Sequence, residues 1–236
     1  TTGTGTACVM IGTDFGQNAI IVLPRANLTL TAEMAEEAIQ SQLSQSTTQA
    51  DTNIFMAQCE MRMATIAAGL RSAHSAGMTT IFNAAPVPRE PFPNDLFTFV
   101  DILVVNESEA AGLADTAVDT PQGARRAATQ LLAKGAKHII ITLGAQGCVW
   151  STYGSSAGQI SHRWIRTIPV TQVDATAAGD AFCGALAAKL AEGMLKPEAL
   201  RWASAAGAVA VTHLGALPSL PRTEEVEALL KEVSKE

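Results

Sequence analysis

The sequence predicts an α/β fold, built as three layers around a doubly wound and mostly parallel sheet. Short β-branched runs alternate with longer Ala-rich segments, which is the pattern of parallel βαβ crossovers. With 236 residues, of which 47% are hydrophobic and 16% charged, the chain can bury one sizeable core. Ligands of such sheets bind where the parallel strands end, so the functional residues are expected in the loops after strands.

Eight segments have the length and composition of strands. The first two are separated by a polar, Gly-containing turn at residues 12–18 and are expected to pair as a hairpin. The last two are expected to join the sheet in antiparallel orientation. The predicted strands cover residues 7–11, 19–23, 53–58, 79–83, 102–105, 138–143, 148–151 and 163–167.

Six segments are predicted to be helices. Thr31 is the expected N-cap of the first, and Gly77 and Gly135 follow the ends of the second and third. Prolines between residues 86 and 93 exclude a helix interior there. The predicted helices cover residues 31–44, 61–76, 121–134, 177–191, 199–212 and 223–235.

Charge and cysteine content exclude several classes of function. The net charge is −6 and no cluster of Lys and Arg is present, which argues against nucleic acid as a partner. No apolar run reaches the roughly 18 to 20 residues that span a bilayer, so no membrane association is expected. The four cysteines lie far apart without a C-x-x-C pair, so we expect neither a zinc site nor a disulfide framework, and predict reduced thiols in the cytoplasm.

The segment from Val173 to Phe182 carries the sharpest chemical signal, because small residues and Gly179 precede Asp180 where a helix is predicted to begin. Backbone amides at a helix start lack partners within the helix and, with the helix dipole, favour an anion. The amides of Ala177, Ala178 and Gly179 are therefore candidates to bind a phosphoryl group. Asp180 is the candidate base for an attacking hydroxyl. The alternative interpretation is a helix start with an ordinary glycine.

This segment, V-D-A-T-A-A-G-D-A-F, closely resembles the second signature of the ribokinase (PfkB) family of sugar kinases, D-T-x-x-A/G-G-D. The matching residues are Asp174, Thr176, Ala178, Gly179 and Asp180. Ala175 stands where the family commonly has Thr. The resemblance implies a ribokinase-like fold and a reaction in which Asp180 activates a sugar hydroxyl for attack on the γ-phosphate of ATP.

Two further segments after predicted strands agree with the family's order. Asn106 to Glu109, N-E-S-E, resembles the family's N-x-x-E motif, which implies that Glu109 helps to hold Mg²⁺ and that Asn106 approaches the nucleotide phosphates. The segment T-L-G-A-Q-G resembles the family's loop along the ATP. Its residues are Thr142, Leu143, Gly144, Ala145, Gln146 and Gly147. Without the resemblance, these segments would be interpreted as a helix N-cap and a tight turn.

Residues 210–219 resemble the family's loop for a monovalent cation. The resemblance implies that K⁺ orders the anion-binding segment from behind, through oxygen ligands that are mostly backbone carbonyls. His213 would contribute its carbonyl rather than its ring. The implied potassium ligands are Asp174, Thr176, Ala210, His213, Gly215 and Ser219. Ser204, in the preceding helix, falls where the family contacts the adenine. A glycine-terminated helix is the alternative for residues 210–219.

Glu60 follows a predicted strand and aligns with a sugar-contacting Glu of ribokinases. A carboxylate can accept two hydrogen bonds from sugar hydroxyls, but a surface Glu at a helix start fits the sequence equally well. Asn83, in N-A-A-P, resembles the ribokinase N-P-A-P string with Ala84 in place of the first Pro. We interpret Asn83 as a loop-shaping residue.

The resemblance extends along essentially the whole chain, which corresponds to about two-thirds to three-quarters of a full-length family member. It implies an N-terminally incomplete kinase domain over residues 1–236, with residues 5–23 as partial lid strands and a homodimer in the full-length protein. The implied reaction is phosphorylation of D-ribose by ATP to ribose 5-phosphate, with Mg²⁺ and K⁺. Another sugar or nucleoside kinase of the family and a non-catalytic nucleotide- or sugar-sensing module remain open alternatives.

Overall fold

The computed structural model describes residues 2–11, 18–45, 53–88, 90–156 and 158–233. The chain divides into two compact units. The first comprises Thr1–Gly5, Pro24–Gly144 and Val149–Trp164, and the second comprises Thr6–Leu23, Ala145–Cys148 and Ile165–Glu236. Most of the central sheet therefore belongs to the first unit, and the N-terminal hairpin and the C-terminal helices belong to the second.

The described residues form a two-stranded hairpin and a six-stranded sheet. Strands β1 (Thr6–Ile11) and β2 (Asn18–Leu23) pair in antiparallel orientation, which confirms the predicted hairpin. Residues 12–17 of its predicted turn lie outside the described residues. The strands of the sheet are β3 (Ile54–Gln58), β4 (Thr79–Asn83), β5 (Ile102–Asn106), β6 (His138–Thr142), β7 (Cys148–Tyr153) and β8 (Ile160–Ile165).

The strands of the sheet are neighbours in chain order from β3 to β8, and β3 to β6 are parallel. The predicted mostly parallel sheet is therefore confirmed. The strand order does not reverse among the described strands, so they do not include the switch point of a doubly wound sheet. The register pairs Gln58 with Asn83 and Asn106 with Thr142. The parallel strands thus end near one another, at what we call the carboxyl edge of the sheet.

Seven α-helices are described, and five of them coincide with predicted helices to within two residues at each end. Thr31 caps the first as predicted, its hydroxyl accepting from the Met34 amide over 3.3 Å. The helices are α1 (Ala32–Gln45), α2 (Met63–Ser75), α3 (Glu107–Ala114), α4 (Pro121–Ala133), α5 (Ala178–Ala191), α6 (Lys196–Ala210) and α7 (Thr223–Val233).

Three elements differ from the sequence-based expectation. Helix α6 begins three residues early because Pro197 suits a first turn, where no amide hydrogen is needed. Strand β8 lies at residues 160–165 rather than 163–167, since the Gly154 amide bonds the Gln159 carbonyl oxygen (2.7 Å) and closes the connection from β7 early. Helix α3 is not predicted by the apolar pattern, because it has only eight residues and contains Gly112.

The core of the first unit lies between the sheet and the helices α2, α3 and α4. Phe82, Leu103 and Ile139 of the central strands have no exposed surface, and burying each such side chain stabilises the fold by about 1.5–3 kcal/mol. Ala124 and Ala128 let α4 approach the sheet closely. In the second unit, α6 and α7 form a smaller core in which Ala-rich helix faces play the same part.

At the edge opposite the carboxyl edge, both oxygens of the Asp101 carboxylate have partners. Asp101 accepts from the Thr80 amide (2.8 Å) and hydroxyl (3.1 Å) and forms an ion pair with Lys137 (2.6 Å). Burial raises the pKa of Asp101, but the hydrogen bonds from Lys137 and Thr80 outweigh it and hold the pKa below its ordinary value. These contacts link the starts of β4, β5 and β6.

None of the described helices combines the length and the apolar character that crossing a membrane requires. No disulfide joins the cysteines, of which Cys148 and Cys183 are buried and Cys8 is exposed.

Two glycines in neighbouring helices are expected to respond oppositely to alanine. A Cβ at Gly123 would lie 2.4 Å from the Ala117 carbonyl oxygen, whereas one at Gly112 would meet no atom within 4 Å. Gly123→Ala should therefore destabilise the fold by about 1–3 kcal/mol through overpacking. Gly112→Ala should stabilise it by about 0.5–1 kcal/mol through helix propensity. Urea denaturation followed by circular dichroism measures both, and equal stability of the two variants would contradict the described packing.

Candidate active site

The start of α5 is built around a residue in the left-handed conformation. Ala177 precedes the helix with φ 62° and ψ 6°, which costs a non-glycine residue about 1–2 kcal/mol. No side chain caps the helix. The Ala178 amide donates to the Ala175 carbonyl oxygen over 3.3 Å, whereas the amides of Ala177, Gly179 and Asp180 donate to no acceptor among the described residues. These amides, at the positive end of the helix dipole, are open to an anion.

Asp180 lies in the first turn of α5 with its side chain exposed. Within the part of the chain that the structure describes, its carboxylate takes part in no ion pair and accepts no hydrogen bond. A Cβ at the neighbouring Gly179 would meet no atom within 4 Å, so the space beside the amides is also open. The carboxylate is therefore available to a hydroxyl group of a ligand.

Asp174 is buried, with 3% of its surface exposed, and three donors engage its carboxylate. Oδ1 accepts from the Thr176 hydroxyl (2.6 Å) and amide (2.9 Å), and Oδ2 accepts from the Gly215 amide (2.9 Å). These bonds, led by that of the Thr176 hydroxyl, hold the pKa of Asp174 below its ordinary value. The carboxylate ties the segment before α5 to the loop after α6.

Further hydrogen bonds join the same two segments. The amides of Val173 and Asp174 both donate to the Val211 carbonyl oxygen, over 2.7 and 3.1 Å. The Ser219 hydroxyl lies 3.5 Å from the carbonyl oxygen of Thr176. The predicted cation loop and the predicted anion-binding segment thus lie side by side in the second unit.

The predicted potassium ligands have the chemistry that such an ion requires. No cationic side chain of the described residues pairs with Asp174, so its negative charge is balanced only by hydrogen-bond donors and can attract a cation. The His213 amide donates to the Ala210 carbonyl oxygen (3.2 Å), and its ring Nδ1 lies 3.0 Å from the Thr212 hydroxyl. The ring is therefore engaged locally, and the oxygen-only environment fits a monovalent cation.

At the carboxyl edge of the first unit, Asn106 and Glu109 form a capping box at the start of α3. Asn106 Oδ1 accepts from the Glu109 amide (2.9 Å) and from the Ser108 hydroxyl (2.8 Å). Glu109 Oε2 accepts from the Asn106 amide (2.9 Å). The predicted ligand motif and the helix N-cap are thus the same residues.

The carboxylates of Glu60 and Glu109 both affect the pKa of the Cys59 thiol. Burial raises the pKa of this thiol to about 12, and the carboxylates of Glu109 and Glu60 contribute in the same direction. Burial also raises the pKa of Glu109, against the hydrogen bond from the Asn106 amide. Glu60 itself is exposed in the loop between β3 and α2, not at a helix start. Glu60 and Glu109, the acidic residues predicted to contact the sugar and Mg²⁺, therefore both lie at the carboxyl edge.

The predicted nucleotide loop begins where β6 ends, at Thr142, and continues through a short turn at Gly144–Gln146. The three turn residues are exposed, whereas Leu143 and Gly147 are buried. Gly147 has φ of 94°, and a Cβ there would lie 2.1 Å from the Ile165 carbonyl oxygen, so no side chain fits. The exposed turn of the loop thus lies between two buried residues.

Ser204 lies in the interior of the second unit. It is 7% exposed, and its hydroxyl oxygen lies 4.0 Å from Cys148 Sγ. Its contact with an adenine stays a prediction. Asn83 donates through Nδ2 to the Val104 carbonyl oxygen (3.0 Å), which agrees with its interpretation as a loop-shaping residue.

Sequence reasoning does not assign Ser108 or Cys59 to the site, although both lie among the predicted residues of the carboxyl edge. The signal for Ser108 is its position inside a capping box, where a hydroxyl two residues after the N-cap can reach the cap's side chain. The signal for Cys59 is its place directly before Glu60, at the end of a buried strand.

Amide and carboxylate groups at the carboxyl edge of a mostly parallel sheet are typical of α/β phosphotransferases, and so is a helix start with free amides beside an unpaired carboxylate. The model of the pfkB family carbohydrate kinases matches residues 1–223. The chain therefore belongs to the pfkB family of carbohydrate kinases, as its motifs predict.

Ribokinases are among the relatives to which the chain is similar. It is 33% identical to the ribokinase of Staphylococcus aureus over 224 residues, covering 94% of this chain and 68% of that protein. It is 34% identical to the ribokinase of Mus musculus over 229 residues, covering 96% and 67%. The structure of Arabidopsis thaliana ribokinase complexed with ribose and ATP superposes with a TM-score of 0.79 at 29% identity, covering 98% of this chain and 70% of that chain. The ribokinase-like fold is confirmed.

Two aspartates of one segment are expected to differ in their effect on stability. Asp174→Asn places an amide NH₂ against the donors of Thr176 or Gly215, so at pH 7 it should lower Tm by several degrees. Asp180→Asn removes no hydrogen bond of the described residues and loses only the interaction of its charge with the helix dipole, so it should lower Tm less than Asp174→Asn does.

The pH dependence follows from the lowered pKa of Asp174. A carboxyl whose folded pKa lies below its unfolded value of 3.8 stabilises the fold above that value, and this contribution is lost as the pH falls through the folded pKa. The Tm difference between wild type and Asp174→Asn should therefore shrink in acid. Calorimetric scans across acidic pH measure it, and a constant difference would contradict the assignment.

Proposed function

We propose that this protein transfers the γ-phosphoryl group of ATP to the terminal hydroxymethyl of D-ribose, which yields ribose 5-phosphate and ADP. The observation that carries the proposal is the start of α5, where the exposed carboxylate of Asp180 lies beside amides that no described residue occupies. The similarity to ribokinases over at least 94% of the chain supports ribose as the acceptor.

In the proposed reaction, Asp180 accepts the proton of the attacking sugar hydroxyl. The hydroxyl oxygen forms a bond to the γ-phosphorus, and the bond from that phosphorus to the bridging oxygen of ADP breaks. The amides of Ala177, Ala178 and Gly179 stabilise the charge on the transferring group. The 3.3 Å hydrogen bond of the Ala178 amide to Ala175 is long, so this amide can also turn towards a stronger acceptor.

Glu109 and Asn106 would hold Mg²⁺ and the phosphates at the carboxyl edge. The metal would neutralise charge on the β- and γ-phosphates when bound. The carboxylate of Glu109 suits direct or water-mediated coordination. Glu60 would accept hydrogen bonds from sugar hydroxyls, because its carboxylate is exposed next to the same edge. Residues of the 142–147 loop and Ser204 would contact the nucleotide.

K⁺ would bind between the segment before α5 and the loop after α6. Its proposed ligands are oxygens of Asp174, Thr176, Ala210, His213, Gly215 and Ser219. The ion would compensate the buried carboxylate and hold the turn that leads into Ala177. Reduced thiols agree with a cytoplasmic location, since no disulfide joins the cysteines.

The hairpin of β1 and β2 is proposed as part of a lid that is covered by a second copy of the protein. Val9, Met10, Ile20, Ile21 and Leu23 are 38–58% exposed. Adjacent residues of a strand point to opposite faces, so Ile20 and Ile21 expose apolar surface on both. Exposed apolar strands of this kind favour association, which supports a homodimer.

Asp180→Asn should reduce kcat by about 10²- to 10⁴-fold, because the amide cannot accept the proton of the hydroxyl. Coupled measurement of ADP release gives kcat, and calorimetric titration gives the Kd for ATP, which should stay near the wild-type value. Asp119→Asn, at another exposed aspartate, is the matched control. Undiminished turnover in Asp180→Asn would remove Asp180 as the base.

Ribose should release ADP from the wild-type protein faster than 2-deoxyribose, fructose or adenosine. The same assay at equal concentrations of each acceptor, with Mg²⁺ and K⁺ present, ranks them by kcat/KM. A higher ranking of another acceptor would assign the protein to a different kinase of the family. Binding of ATP without ADP release from any acceptor would instead favour a nucleotide- or sugar-sensing module.

A further inference from the structure

Helix α6 contacts the proposed phosphate-binding segment at two points. Near the middle of α6, Gly207 faces the first turn of α5, where a Cβ on this glycine would lie 3.3 Å from the Ala178 carbonyl oxygen. One turn later, at the end of α6, the Val211 carbonyl oxygen accepts from the amides of Val173 and Asp174. These contacts lie on either side of the left-handed turn into α5, so α6 restrains the chain both before and after that turn.

The lack of a side chain at position 207 allows the close approach of the two helices. Ordinary contact distances for a Cβ are 3.4–4 Å, so a methyl group here would displace the Ala178 carbonyl by a few tenths of an ångström. Glycine in a helix interior is less favourable than alanine by about 0.5–1 kcal/mol. Its neighbours in α6 are nevertheless alanines, namely Ala205, Ala206 and Ala208. The glycine therefore lowers helix propensity at the one position that faces this carbonyl.

The carbonyl that Gly207 faces belongs to the same peptide group as a proposed donor to the phosphoryl group. The oxygen of Ala178 and the amide of Gly179 lie in one plane, and in a trans peptide the N–H points away from the oxygen. A displacement of the oxygen by α6 therefore tilts the amide on the opposite side. That amide donates to no acceptor among the described residues and lies next to Asp180 at the start of α5.

We propose that Gly207 is a positioning residue for phosphoryl transfer: the space that it leaves beside Ala178 sets the direction in which the Gly179 amide points at the transferring group. The inference rests on the proposed kinase function. Gly207 contacts neither nucleotide nor sugar and acts only through the peptide group between Ala178 and Gly179. Because charge builds up on the transferring group in the transition state, a misaligned amide lowers kcat rather than the affinity for MgATP.

The test compares Gly207→Ala with Gly112→Ala and wild type, all in the full chain. Both variants add one methyl group to a helix interior, but the Cβ at position 112 meets no atom within 4 Å. Gly207→Ala should lower kcat with ribose about 3- to 10-fold, since a misplacement of about 1 Å can cost about 100-fold, and leave the Kd for MgATP within about twofold. Gly112→Ala should change neither. Coupled measurement of ADP release gives kcat, and calorimetric titration gives the Kd.

NMR of the backbone amides reports directly on the peptide group. The Gly179 signal is identified by its loss from the glycine region in Gly179→Ala. In the protein without ligands, Gly207→Ala should shift this signal and Gly112→Ala should not. An unshifted Gly179 signal, a wild-type kcat in Gly207→Ala, or equal losses of kcat in the two variants would each overturn the positioning role alone. A wild-type protein that releases no ADP with any acceptor would overturn the proposed kinase function and the positioning role together.

Discussion

The open start of α5 depends on the buried negative charge of Asp174. A chain entering a helix normally offers its first amides to nearby side chains or to water. Here the carboxylate of Asp174 accepts from the amide and hydroxyl of Thr176 and from the Gly215 amide, and these hydrogen bonds restrain the turn that follows. Ala177 then adopts a left-handed conformation that points the next amides outward. One buried charge thereby organises a surface more than a turn away.

The polar side chains at the two edges of the sheet differ in how far they are engaged by hydrogen bonds and ion pairs. At the starts of the strands, Asp101 is satisfied by Thr80 and Lys137. At the carboxyl edge, Asn106 and Glu109 are fixed by each other, and Glu60 is exposed at the same edge. The first arrangement serves stability, and the second leaves a carboxylate accessible to a ligand. This asymmetry matches the rule that open α/β sheets bind ligands where parallel strands end.

Much of the fold follows from the sequence because the central strands are buried on both faces. The β4 strand at residues 79–83 has the predicted bounds, since a short apolar run between turn signals leaves little choice. The end of β8 depends on the strand with which it pairs. The start of α6 depends on whether Pro197 lies before the helix or in its first turn, and the neighbouring residues alone do not decide this. In the site, the motifs place Asp174 before a helix start and Asn106 at the end of a strand, and the structure has them there, before α5 and at the end of β5. The burial of Ser204 and the contact of Ser108 depend on tertiary packing and rotamers, which a linear pattern does not contain.

The left-handed conformation of Ala177 has a consequence for directed evolution of this protein. Glycine would adopt the same backbone without the steric cost of a Cβ. A screen that rewards heat resistance alone would therefore tend to enrich glycine at position 177, and the survivors would carry a looser entry into α5. In the proposed function the amides at the start of α5 bind the transferring phosphoryl group, so a screen that also demands turnover would retain the more rigid alanine.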